Sequence, residues 1–111
     1  MNHERLECFR QLMSVAEDLA KRVAKWPRGY GFLSDQLNRA VSSAILDLAE
    51  GNGKQASSRE RHRFFRISLG SIAESGAAID LARVFGLIQV SEREFLKSRL
   101  KAAYVKIGAL P

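Results

Sequence analysis

A chain of 111 residues has room for one domain and is too short for two of ordinary size, and it can bury a core without disulfides or metals. Its hydrophobic content of 46% excludes wholesale disorder, and no apolar run approaches the ~20 residues that span a membrane. Eighteen basic against twelve acidic side chains leave a charge of +6, which fits a polyanionic partner, an acidic protein surface or a generally solubilising exterior.

The first helix is predicted from Asn2 to Lys25. Leu6, Phe9, Met13, Ala16, Ala20 and Val23 recur at three- and four-residue spacing, and Leu12 and Leu19 widen the stripe. The opening segment carries acids and no apolar stretch, so no secretory signal is expected. Cys8 is the only cysteine, so no internal disulfide can form and a cytoplasmic setting is expected. Pro27 stops the helix, which leaves Trp26 to Phe32 as a loop with two glycines.

The second helix is expected to start at Ser34 as N-cap, with Leu37, Val41, Ala44, Ile45 and Leu48 inside and Gly51 as a left-handed C-terminal cap. Ser57-x-x-Glu60 has the spacing of a capping box and opens a long third helix reaching Phe85. That helix carries two stripes. Phe65, Leu69, Ile72, Gly76 and Ile79 form one, and Phe64, Ser68, Ser71, Ser75, Ala78, Ala82 and Phe85 the other, which suggests packing on two sides and completion by neighbouring subunits. Gly86 fits its C-terminal cap. Ser91-x-x-Glu94 is a second capping box for a fourth helix with Leu96, Leu100, Ala103, Ile107 and Leu110 inside. Short connections make this an all-α, antiparallel up-down-up-down four-helix bundle, one domain over residues 1–111.

No catalytic constellation is visible. Glu50 and Glu74 read as local pairing groups, and the serines of the third helix as close-packing positions whose hydroxyls bond one turn back. There is no metal-ligand spacing and no phosphate loop, so no metal or cofactor is expected and the protein is expected not to be an enzyme.

The segments Gln36-Leu-Asn-Arg-Ala40, Ala49-Glu-Gly51 and Phe65-Arg-Ile-Ser-Leu-Gly-Ser-Ile-Ala-Glu74 resemble the bacterial four-helix-bundle family named for proteins encoded in intervening sequences of large-subunit ribosomal RNA genes, which includes the accessory variability determinant of diversity-generating retroelements. Asn38 and Asp47 depart from that pattern, where arginine and asparagine are common. The resemblance covers most of the chain. It implies a homo-oligomer, a cyclic pentamer with a central channel, and in the retroelement branch binding to a reverse transcriptase and to nucleic acid.

The residues best suited to such a role are Arg59, Arg63 and Arg66, which share one face of the third helix, with His62 beside them and Lys54 and Arg61 flanking. Arginine's planar fork suits phosphate, and phosphate contacts hold a nucleic acid without reading its sequence. A solvated face, salt-bridged to a neighbouring subunit, is the other reading. A looser basic set on the fourth helix comprises Arg93, Lys97, Arg99, Lys101 and Lys106, with Lys97 and Lys101 on one face; generic solubility explains it better than binding does. Arg22, Lys25 and Arg28 could extend the basic surface. Trp26, Tyr30 and Phe32 read mainly as packing or interface residues, with stacking on unpaired bases as the alternative. The combined expectation is a non-enzymatic basic scaffold holding nucleic acid, RNA in preference to DNA. The alternative is a structural or protein-interaction module without nucleic-acid affinity.

Overall fold

The computed structural model describes residues 3–111, so the expected start at Asn2 lies outside the described residues. Four helices follow in order: α1 (His3–Val23), α2 (Gly31–Asn52), α3 (Arg59–Val84) and α4 (Val90–Gly108), with no strand among the described residues. Each helix packs on its neighbours in sequence, α4 returns to α1, and the diagonal pairs do not meet. This is the expected up-down-up-down bundle, 44 × 23 × 18 Å, and α3 at ~1.5 Å per residue spans nearly all of its length.

The core face of α1 is shifted from the expected one: Leu12 and Leu19 are buried as expected and Phe9 and Ala16 pack partly against the core, but Cys8 and Val15 are buried too, whereas Met13 and Ala20 lie outside. Centring the face on Leu12, Val15 and Leu19 turns these side chains fully inward and leaves Ala20 outside, which removes more apolar area from water over the second half of the helix, at about 25 cal/mol per Å².

The α2–α3 pair has the most extensive packing, and small polar residues explain its intimacy. Ser68 is fully buried and donates from Oγ to the Ala44 carbonyl of α2 at 2.7 Å; Ser71 donates to Ser43 Oγ at 2.9 Å. Only Ser75 bonds one turn back, to the Ser71 carbonyl at 2.8 Å. The serine stripe is therefore covered by α2 of the same chain rather than by a neighbouring subunit.

The helix ends also differ from expectation. α2 begins at Gly31, because Leu33 must already be helical to point into the core; Ser34 sits inside the first turn and donates to the Gly31 carbonyl. Ser58, not Ser57, caps α3 by accepting from the Arg61 N–H at 3.1 Å, while Ser57 takes a left-handed φ of 61°. The box of α4 lies two residues earlier than expected, with the Glu92 carboxylate accepting from the Gln89 N–H at 2.7 Å. Gly86 is the left-handed cap expected, at φ 75°. The Leu87 N–H donates to the Ala82 carbonyl and that of Gly86 to Arg83, so two of the last carbonyls of α3 are satisfied.

Gly51 has a different task from the one assigned to it. It lies within α2, and the helix continues to Asn52. A Cβ there would stand 2.6 Å from the Phe65 ring and 3.2 Å from Phe64 Cβ, so glycine is needed for the close approach of α3. Gly51→Ala is expected to lower stability by about 1–3 kcal/mol through overpacking, although alanine favours helix. Urea unfolding checks this, and an unchanged midpoint would contradict the packing argument.

Candidate nucleic-acid interface

The N-terminal turns of α3 decide which basic side chains face water. At 100° per residue, Arg59, Arg63 and Arg66 fall within one arc, and all three are exposed. Neither Arg59 nor Arg66 has an anionic partner among the described residues, and Arg63 lies over the Phe64 ring at 4.6 Å. Arg59 stands in the first turn of α3, where a positive charge opposes helix formation, and Arg63 and Arg66 lie one and two turns on, beyond that effect. Helix stability thus gives no reason for the cluster.

Arg61 points the other way. It is only 5% exposed and its guanidinium is spent on main-chain oxygens: Nε donates to Gly51 at 3.1 Å, Nη2 to Asn52 at 3.2 Å and Lys54 at 2.6 Å, and Nη1 to Pro111 at 3.3 Å. It caps the end of α2 and fastens the segment after α4. The same angular count that groups Arg59, Arg63 and Arg66 sets Arg61 on the side of buried Phe65, so its position was readable before any coordinates.

The remaining site residues separate by partner. Lys54 is paired with Glu50 at 3.5 Å and Glu60 at 3.4 Å, so its charge is largely offset, and Glu50 acts as the local pairing group expected. His62 is half-buried beside Arg66, in a groove closed by Ile107 and Leu110. Lys97 donates to Asp80 at 2.7 Å, whereas Lys101, one turn on, is exposed with no anionic partner among the described residues.

The α4 cations mostly bind their own bundle rather than merely solubilising it. Arg93 joins Lys97 on Asp80, Arg99 bonds Asp18 of α1 at 2.6 Å, and Lys106 reaches Glu7 of α1. At the far end of the bundle, Arg22 is held by Asp18 and Glu92. Lys25 and Arg28 are at that end too, so this group does not extend the arginine face.

These pairs make the acid limb of stability predictable. Burial opposes ionisation of Asp18, but hydrogen bonds from Arg99 and Arg22 outweigh it and hold the carboxyl below its ordinary 3.8. Asp80 behaves likewise between Lys97 and Arg93. Because the folded carboxyls are the stronger acids, the unfolded chain takes up protons first. The stabilisation is complete above the ordinary carboxylate pKa and fades as pH falls through the lowered values. Asp18→Asn is expected to reduce Tm at neutral pH and to narrow the difference between neutral pH and about pH 3; melts across that range test it.

Among the described residues, no group of three or more His, Cys, Asp or Glu side chains could hold a metal ion, and no helix is long and apolar enough to cross a membrane. Cys8 is buried, which pushes its thiol pKa up, away from the reactive thiolate. The family model described as 23S rRNA-intervening sequence protein matches residues 4–108, so the chain belongs to that family, a non-catalytic one. No curated protein matches the chain.

Proposed function

We propose that this protein is a non-enzymatic, homo-oligomeric scaffold of the cytoplasm that holds RNA along the arginine face of α3 and recruits a reverse-transcriptase-like partner. The observation that carries the RNA reading is the set of exposed arginines on one face of the first turns of α3, none of them with an anionic partner among the described residues. Arginine at such a place is suited to phosphate, and copies arranged around an assembly multiply the field. Self-assembly, as a pentamer in the family resemblance, is supported by large apolar side chains left in water, among them Val84 at 71%, Val105 at 62% and Phe95 at 59% exposure. Lys101 adds to the basic surface; Lys54, His62 and Lys97 are secondary contributors because each is partly buried, and both lysines are paired.

The same apolar residues favour a second reading, a protein-interaction module with no nucleic-acid affinity. A salt titration separates the two. Binding of purified protein to single-stranded RNA is expected to weaken log-linearly with salt, with a slope of about −0.7 per phosphate contacted. Absence of binding at low salt after nuclease treatment would leave the interaction module. Light scattering measures the assembly independently.

A further inference from the structure

At the end of the bundle remote from the arginine face, the α1–α2 loop and the α3–α4 turn enclose a cavity of about 480 Å³. Its lining includes the cations Lys21, Arg22 and Lys25, from the last part of α1 and the loop, and the aromatic rings of Trp26, Tyr30 and Phe85. We propose that this cavity is a second binding site, and that it takes a nucleoside phosphate, with the base against the rings and the phosphate toward Lys25.

Two observations define that ligand. The first is charge. Asp18 and Glu92 also line the cavity, but their carboxylates are engaged by Arg22 and, for Asp18, by Arg99 as well. Lys25 has no anionic partner among the described residues, and Lys21 has only a loose 3.8 Å contact to Glu17 with both side chains more than two-thirds exposed. The unspent charge facing the cavity is therefore positive. The second is the ring surface. Tyr30 and Phe85 stand 5.9 Å apart, Phe32 extends the cluster at 6.2 Å from Phe85, and Phe85 remains 42% exposed. Rings kept accessible beside lysines form a stacking platform for bases. A simple anion would leave the rings unused, and an apolar side chain would leave Lys25 unused. A base joined to a phosphate uses both.

The ligand can be a free nucleotide or an unpaired nucleotide of a single strand. The second source rests on the RNA-scaffold reading and the first does not. Because the cavity and the arginine face occupy opposite ends of the bundle, each can be altered without touching the other.

Trp26 is the only tryptophan, so its emission reports occupancy of this cavity. The full chain is titrated with adenosine monophosphate, with single-stranded oligoadenylate, with an RNA duplex and with inorganic phosphate. Quenching or a spectral shift is expected with the nucleotide, the oligoadenylate or both, and which of them acts identifies the source. Duplex, whose bases are already stacked, and inorganic phosphate are expected to have little effect. Tyr30→Ala or Phe85→Ala is expected to weaken the response about 10-fold to 100-fold, the range of one lost base stack. Lys25→Gln, at an exposed position, weakens it without disturbing the fold. The triple variant Arg59→Glu, Arg63→Glu and Arg66→Glu keeps the response to adenosine monophosphate, so loss of RNA binding in that variant leaves this site standing. Emission unchanged by both adenosine monophosphate and oligoadenylate at millimolar concentration, or a response indifferent to the ring and Lys25 variants, would overturn the proposal.

Discussion

Replacing Arg59, Arg63 and Arg66 together by glutamate is expected to weaken binding to single-stranded RNA by about 100-fold or more at about 0.1 M salt, and to flatten the salt slope by about 2. The size follows from counterion release. Three lost phosphate contacts at about 0.7 each remove two powers of ten relative to 1 M salt, and the introduced carboxylates add repulsion. All three side chains are exposed, and glutamate is as good a helix former as arginine. In the first turn of α3, Glu at position 59 also suits the helix dipole. Helicity and Tm are therefore expected to hold or rise while affinity falls. Binding and slope left unchanged in a correctly folded triple variant would show that the arginine face is not the contact surface.

The α4 cations supply the comparison. Lys97→Glu would place a carboxylate against Asp80 and loosen the α3–α4 ion pairs, so its effect falls on stability before it falls on binding. Lys101→Glu removes a charge that no acid among the described residues offsets, so its effect falls on binding alone. Basic residues that look equivalent by count thus divide into those that hold the bundle together and those left to act on a partner.

The fold was largely legible because its signals are local. Hydrophobic spacing, Pro27 and Gly86 mark the helices and breaks, and the structure has them where expected. Errors arose where two local signals competed. Ser91-x-x-Glu94 and Gln89-x-x-Glu92 overlap, and the burial of Ile88 sets the chain's entry so that the earlier one caps α4. In α1, the expected stripe was broad, and the structure centres it on Leu12, Val15 and Leu19 and leaves Met13 and Ala20 at its edge. Gly51 looked like a terminator because glycine's need for space beside Phe65 depends on a residue fourteen positions later. At the candidate interface, the arc of Arg59, Arg63 and Arg66 follows from helical geometry alone. What could not be read was which cations are spent. Arg99 with Asp18 and Lys106 with Glu7 pair only because α4 returns to α1, and Tyr30 meets Phe85 only because two loops share one end of the bundle.

Arg61 brings these arguments to their second large consequence. Its guanidinium carries a buried positive charge to the negative end of the α2 dipole, satisfies the Asn52 carbonyl and adds a second donor to the Gly51 carbonyl, which also accepts from the Lys54 N–H. The bonds to Lys54 and Pro111 tie the following turn and the chain beyond α4 to the same point. Arg61→Met keeps much of the volume but removes the side-chain donors to the Asn52, Lys54 and Pro111 oxygens, while Gly51 keeps the Lys54 N–H. The loss is expected to lower stability by about 2–4 kcal/mol, a drop in Tm of roughly 10 °C or more for a chain of this size. Arg61→Lys keeps the charge but has a compact ammonium in place of the fork, so it is expected to restore only part of the loss. The decisive contrast with the outward arginines is functional. Below its lowered Tm, Arg61→Met is expected to bind RNA with the wild-type salt slope, since its guanidinium faces no solvent, whereas the triple variant loses binding and keeps its Tm. A methionine variant that melts like the parent, or one that stays folded with a reduced salt slope, would place Arg61 among the contacts instead of behind them.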